Sequence, residues 1–299
     1  MIKTRYIWLN GKFVKWENAK IHILSHALYY GSGVFEGIRC YKNPNGRVVF
    51  RLKEHVDRLF RSAKFLQIKI PFKKEDFKNS IIELIRLNRL QECYLRPIVF
   101  YGYGKMGLNP KGAKVNCAVI AWPWGKYLKD KVKVKISKFI RLHPSSVVSS
   151  AKVCGYYINS IFATFEIQSL GFDEAILMDY RGFIAEGPGE NIFIVKNKTL
   201  YTPKLGSILP GITRDAVIKI AKNEKLKVIE KDISLKEFKN CDEAFFTGTA
   251  VEITPIFQIE NKILNKGEIG EITKIIRDKF YQIVNGEDLR YKNWLTSVS

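Results

Sequence analysis

The chain has 299 residues, 46% of them hydrophobic, which suits one large domain or two of moderate size and excludes a disordered or tail-like protein. A net charge of +21 raises nucleic acid as a partner. No apolar run approaches the ~20 residues of a membrane span, and Met1 to Asn10 lack a secretory pattern, so a cytoplasmic protein without a membrane partner is expected.

A hairpin is predicted first, from Tyr6 to Leu9 and Lys12 to Trp16 around an Asn10-Gly11 turn. A second joins Val34 to Tyr41 and Val48 to Leu52 through Asn43-Pro44-Asn45-Gly46. Leu59, Phe60, Ala63 and Leu66 mark a helix after Lys53, and Phe77, Ile81, Leu84 and Ile85 mark another. Tyr94 to Tyr101 and Val115 to Ala121 read as buried strands. Between Trp122 and Asp130 the pattern lapses into Pro123, Trp124, Gly125 and Lys126, the best candidate for an interdomain link. The division expected is therefore a small domain over 1–124, a loop over 125–131 and a larger domain over 132–299. In the latter, strand alternation resumes at Val132, Val134 and Ile136, and a helix from Ile158 to Leu170 stops at Gly171. Strands Glu174 to Met178 and Asn191 to Val195, a helix from Thr213 to Lys222, short strands around Val228 and Phe245, and a helix from Glu271 to Val284 follow. Both halves mix helices and strands, so the fold class is α/β (α+β) in two domains.

Lys152 is the only charged side chain between Pro144 and Phe165, in a chain where 26% of residues are charged. Small and apolar neighbours favour a desolvated, neutral amine, the form that condenses with a carbonyl. A lysine with a buried stem and a head that snorkels to water fits the same pattern. Glu186-Gly187-Pro188-Gly189-Glu190-Asn191 lies between two apolar strands and reads either as a site or as a solvated turn. Leu209-Pro210-Gly211-Ile212-Thr213-Arg214-Asp215 opens a helix, where unpaired amides and a hydroxyl suit phosphate. Gly248-Thr249-Ala250 is a further loop of small residues able to present amides. Five scattered cysteines without a C-x-x-C pair, and four histidines, suggest neither a disulfide framework nor a metal site. The basic charge is spread, with clusters such as Lys129-Asp130-Lys131 broken by acids. No arginine-rich arm, zinc finger or RNP-like motif accompanies it, so no specific nucleic acid is expected.

Together these motifs resemble the branched-chain amino acid aminotransferases, members of the fold-type IV pyridoxal phosphate enzymes. The resemblance runs from Tyr6-Ile7-Trp8-Leu9-Asn10-Gly11 almost to the C-terminus. It takes in Ser25-His26-Ala27-Leu28-Tyr29-Tyr30-Gly31, Val34-Phe35-Glu36-Gly37-Ile38-Arg39-Cys40-Tyr41, Tyr94-Leu95-Arg96-Pro97, Met106-Gly107-Leu108 and Ala151-Lys152, then the three later motifs in the family's order. D-amino acid aminotransferase and aminodeoxychorismate lyase share that fold; the Tyr94-Leu95-Arg96 and Met106-Gly107-Leu108 pair favours the branched-chain type. One departure is Cys154-Gly155-Tyr156-Tyr157, where the family usually has asparagine at the position of Tyr156; Cys154 itself reads as a small packing residue.

The resemblance implies a small and a larger domain with pyridoxal 5'-phosphate between them. It makes Lys152 the Schiff-base lysine and proton shuttle, Glu186 the carboxylate facing the pyridine nitrogen, and Tyr157 the phenol at the ring oxygen. Arg58, Ile212, Thr213 and Thr249 would cradle the phosphate, and Leu209 would pack on the ring. Tyr30, Phe35, Gly37, Met106, Leu108 and Tyr127 would form the apolar substrate pocket. Tyr94 with the amides of Thr249 and Ala250 would take the α-carboxylate, and Arg96 the distal carboxylate of glutamate. Arg39 would lie nearby, either behind the pocket or in a supporting ion pair. The implied reaction is ping-pong transfer of the amino group of L-leucine, L-isoleucine or L-valine to 2-oxoglutarate, giving the 2-oxo acid and L-glutamate. The implied assembly is a homo-oligomer, at least a dimer and as large as a hexamer.

Overall fold

The computed structural model describes residues 3–125 and 128–298. In chain order the strands and α-helices are β1 (Tyr6–Leu9), β2 (Lys12–Lys15), α1 (His26–Tyr30), β3 (Gly33–Phe35), β4 (Ile38–Asn43), β5 (Gly46–Phe50), α2 (Leu52–Phe65), α3 (Lys74–Leu87), β6 (Cys93–Tyr101), β7 (Val115–Pro123) and β8 (Val132–Ile136). There follow α4 (Tyr157–Ser169), β9 (Glu174–Met178), β10 (Phe183–Glu186), β11 (Asn191–Lys196), β12 (Thr199–Pro203), α5 (Ile212–Asn223) and β13 (Val228–Lys231). The chain ends with β14 (Ile233–Ser234), α6 (Leu235–Lys239), β15 (Glu243–Gly248), β16 (Glu252–Ile259), β17 (Lys262–Ile263), α7 (Glu271–Val284) and β18 (Leu295–Ser297). Among the described residues no helix is long and apolar enough to cross a membrane.

The chain forms two compact units, Met1–Gly125 with Ala151–Tyr156 and Ile283–Ser299, and Lys126–Ser150 with Tyr157–Gln282. This interleaving differs from the single cut that the lapse after Trp122 suggests. Backbone pairing is the reason: Phe35 N donates to Lys152 O at 3.1 Å, Val34 bridges Val153, and β18 pairs with β5. Pro123, where the strand pattern lapses in the sequence, instead ends β7, which pairs Trp122 with Tyr94 and Pro123 with Cys93.

The first unit holds a sheet in the order β18-β5-β4-β6-β7-β1-β2, with β3 also on β6. The sequence predicts one strand over Val34 to Tyr41; two are found. The register is unbroken from Phe35↔Ile98 to Ile38↔Leu95, so the interruption at Glu36-Gly37 is local. Glu36 N donates to Pro97 O at 2.9 Å, but Pro97 has no N–H to return. Helices α2 and α3 bury Leu52, Val56, Leu59, Phe77, Ile81, Leu84 and Ile85 in this unit's core. Each such side chain contributes roughly 1.5–3 kcal/mol relative to exposure.

In the second unit the order is β13-β12-β11-β15-β16-β8-β9-β10-β14, with β17 on β16. β8 and β9 run parallel, which demands a crossover, and α4 lies within it. β16 is missing from the sequence reading because Pro255 signals a break inside it; β14, β17 and β18, of two or three residues, are too short to stand out, and β10 and β12 are also absent from it. The core gathers Ile176, Ile192, Ile194, Phe238, Phe246 and Ile256.

Candidate active site

Strand alternation builds the first part of the site. Residues 35, 37 and 39 share one face of β3 and β4, and 94, 96 and 98 lie opposite them on β6. Gly37 is required there: a Cβ on it would lie 1.9 Å from the Tyr94 hydroxyl oxygen. The Arg96 guanidinium sits 4.9 Å from the Phe35 ring centroid and 5.2 Å from that of Tyr94. Its Nη2 makes a long contact to Tyr94 Oη, 3.5 Å, and its Nε is buried without a hydrogen-bond partner. No carboxylate among the described residues pairs with Arg96. Aromatic rings therefore hold a cation whose charge is not neutralised locally. Arg39 is buried and lies over Tyr41, 4.9 Å from its centroid.

Lys152 joins this face. Its N donates to Ser62 Oγ at 3.0 Å and its carbonyl accepts from Phe35 N, so the backbone is clamped from both sides. The half-buried side chain then carries Nζ to 4.8 Å from the Phe35 centroid. Cys154 is half-buried, and burial pushes its thiol up to about 11, as expected of an inert packing residue. Tyr156 packs on the first unit's core.

Between β3 and β4, on the opposite face from Phe35 and Gly37, lies Glu36, which the sequence reading left without a role. The Arg58 Nε and Nη2 groups donate to its two oxygens at 2.6 and 2.8 Å, and His55 Nδ1 lies 2.8 Å from Oε2. Burial alone would raise the Glu36 pKa; Arg58 and His55 outweigh it and hold the carboxyl at about 2. Burial pushes His55 down, so the neutral ring donates Nδ1–H to Glu36. A lone acid in the run Val34 to Ile38, and polar residues 55, 58 and 62 on the buried face of α2, were the available signals.

His26 was also missed. It is buried, with Nε2 2.7 Å from Gly107 O and Nδ1 2.7 Å from Ser32 Oγ. A carbonyl only accepts, so Nε2 carries the proton and Nδ1 accepts from the serine. This ties the Met106 to Leu108 loop to α1. Tyr30, Met106 and Leu108 are nevertheless exposed, Leu108 by 88%.

In the second unit the signature loops meet through Asn191. Its Nδ2 donates to Glu186 Oε2 and to Leu209 O, both at 2.9 Å. Leu209 N donates to Glu186 Oε2 at 3.2 Å, and Arg141 Nε lies 3.0 Å from Oε1. The Nε–H does not point along that line, so this last contact is charge pairing rather than a linear hydrogen bond. Arg141 Nη1 donates to Ser160 Oγ, which donates to Pro188 O at 2.6 Å. Arg141, 45 positions from its partner, had no local signal. Glu190 serves its own loop, accepting from Gly189 N at 3.1 Å.

Gly211 lets the helix start approach: a Cβ there would lie 1.9 Å from Asn191 Oδ1. Gly211 caps α5 without a side-chain bond, so the first amides, including those of Ile212 and Thr213, have no intrahelical acceptor. Arg214 points elsewhere, donating to Pro203 O and Glu230 Oε2, each at 2.7 Å. Thr249 and Ala250 form the turn between β15 and β16, both half-buried, and Tyr157 opens α4, half-buried. Tyr127 lies outside the described residues. A clamped lysine, a buried carboxylate compensated by cation and amides, and an uncapped helix start are parts that suit pyridoxal 5'-phosphate.

Comparison with known proteins agrees. The profile of the amino-transferase class IV family matches residues 33–259, and the chain belongs to that family. A branched-chain-amino-acid aminotransferase of Pseudomonas aeruginosa is 41% identical over 98% of this chain and 97% of its own. The branched-chain aminotransferase of Thermoproteus uzoniensis, solved with norvaline, superposes with a TM-score of 0.96 at 41% identity, covering 99% of this chain and all of that one. The T.th. branched-chain amino acid aminotransferase, complexed with N-(5'-phosphopyridoxyl)-L-glutamate, gives 0.97 at 40% identity with full coverage of both chains.

Proposed function

We infer that this chain transfers the amino group of L-leucine, L-isoleucine or L-valine to 2-oxoglutarate, with pyridoxal 5'-phosphate as cofactor. The observation that carries the reading is Lys152, clamped through its backbone with its amine beside Phe35, in a chain whose relatives bear that activity in their names. When bound, the cofactor supplies the carbonyl carbon that receives nitrogen and a ring that takes up electrons. Lys152 Nζ is the amine that would hold that carbon, and it would also serve as the base for the substrate's α-proton. Glu186 would set a compensated negative charge for the ring nitrogen, Tyr157 would offer its phenol to the ring oxygen, and Leu209 would pack on the ring. Arg58, Ile212, Thr213 and Thr249 would receive the phosphate.

Phe35, Gly37, Tyr30, Met106 and Leu108 would enclose the branched side chain, with Arg39 behind them. Tyr94, Thr249 and Ala250 take the α-carboxylate, and Arg96 meets the distal carboxylate of the acceptor. The exposure of Tyr30, Met106 and Leu108, together with the apolar stripe Ile158, Ile161, Phe162 and Phe165 on α4, supports a homo-oligomer of at least two copies. Free cysteines, four of the five buried, support a cytoplasmic setting.

Borohydride reduction of the cofactor-loaded protein, followed by peptide mapping, tests the reading. The label is expected on Lys152, and L-leucine but not D-leucine should bleach the yellow form beforehand. A label on another lysine overturns the assignment.

A further inference from the structure

Glu36 and His55 have no part in the reaction as read above, yet they are 0% and 1% exposed. Glu36 is bound to α2, the helix that carries His55 and Arg58 and whose Ser62 receives the backbone N–H of Lys152. A carboxylate with both oxygens engaged by one guanidinium fixes the plane of that group as well as its place. Buried ion pairs are poor devices for stability, because apolar residues of similar volume usually serve as well. What such a pair does provide is orientation of a long, flexible side chain.

We propose that Glu36, held by His55, is a positioning residue for Arg58, setting the guanidinium that binds the cofactor's phosphate. This rests on the assignment of Arg58 to the phosphate. Charge and orientation make opposite demands here. Glu36 partly neutralises Arg58, so removing its charge would strengthen phosphate binding if attraction alone mattered. If orientation governs, removing it weakens binding.

The test compares two probes on the apo-protein, pyridoxal 5'-phosphate and pyridoxal, which carries the same aldehyde without the phosphate. Glu36→Gln should weaken binding of the phosphorylated form roughly ten-fold, the scale seen when partners that orient a ligating group are removed. Pyridoxal binding should stay within about three-fold, since the phosphate contributes nothing there. His55→Asn should act in the same direction more weakly, and inorganic phosphate should compete less well in both variants. A stabilising ion pair alone would lower the melting temperature and leave the ratio of the two affinities unchanged. Arg58→Met is the control. If it leaves the ratio intact, Arg58 is not the phosphate ligand and this proposal falls with that assignment. If Arg58→Met collapses the ratio while Glu36→Gln and His55→Asn preserve or raise it, the positioning role alone is overturned. Should Glu36→Gln fail to fold, His55→Asn and Glu36→Asp carry the same comparison.

Discussion

Two buried glutamates, one in each unit, meet opposite fates. Glu36 is enclosed by the first unit's sheet and α2, and Glu174 opens β9 in the second. Burial raises the pKa of both. Around Glu36 the Arg58 fork and the His55 N–H reverse that effect and hold the carboxyl at about 2. Glu174 has a single backbone donor, Ala175 N at 3.0 Å, and Asp173 beside it, and burial pushes it to about 7. A search for groups poised near neutrality would select Glu174, which the proposed chemistry does not use. Glu186 shares the surroundings of Glu36, with Arg141 beside it and Asn191 and Leu209 N donating to it. On the proposed reading, a buried acid with converging donors marks the site better than one displaced towards neutrality.

The largest effect should come from breaking that pattern at Glu186. Glu186→Gln keeps the shape and an acceptor but removes the charge set against the ring nitrogen. Turnover should fall about 10²-fold, about 3 kcal/mol of barrier, with the cofactor still bound. Glu190→Gln, in a side chain committed to its own loop, should remain near wild type. If steady-state rates show the reverse, the wrong carboxylate has been assigned.

Arg96 offers the converse case, a cation without a partnered acid. Leucine brings no distal charge, so Arg96→Gln should leave its half-reaction within a few-fold of wild type. The 2-oxoglutarate half-reaction should fall by roughly ten- to a hundred-fold, because a carboxylate in a desolvated pocket then loses its charged donor. Single-turnover absorbance changes separate the two halves, and equal losses in both would reduce Arg96 to a structural residue.

What the sequence disclosed and what it hid follow one physical division. Periodicity and turn chemistry are local, so α3, α5 and α7 emerge nearly whole and the Lys152, Glu186 and Thr213 segments stand out. The residues that hold those groups in place are distant in sequence. Glu36 is 22 positions from Arg58, and His26 is 81 from Gly107. Arg141 likewise reaches Glu186 across the whole of α4. None of these pairings leaves a trace in a window of neighbouring residues. The split of the Val34 to Tyr41 strand was legible only in Pro97, on the neighbouring strand.

The smallest effect concerns stability, and it tests the two glutamates directly through opposite dependences on pH. Glu36 has a folded pKa of about 2, below the ordinary value of 4.5. Its ionised form therefore supports the fold above about pH 4.5, and that support is lost as pH falls towards 2. Glu174 has a folded pKa of about 7, above 4.5, so the fold favours its protonated form. That contribution is complete below about pH 4.5 and is lost as pH rises through 7, where ionisation leaves a buried charge with one amide donor. Each displacement corresponds to about 3 kcal/mol at most. Glu174→Gln replaces the acid with a neutral group of the same shape, so it should be nearly silent at pH 5 and stabilising at pH 8. The net gain should be about 1–2 kcal/mol, a rise of a few degrees in Tm, because the new amide must also find partners. Thermal unfolding of both proteins across pH 4 to 9 measures the divergence. Parallel curves, or a variant that loses stability at high pH, would show that the Glu174 charge is compensated in the fold and that the contrast with Glu36 does not hold.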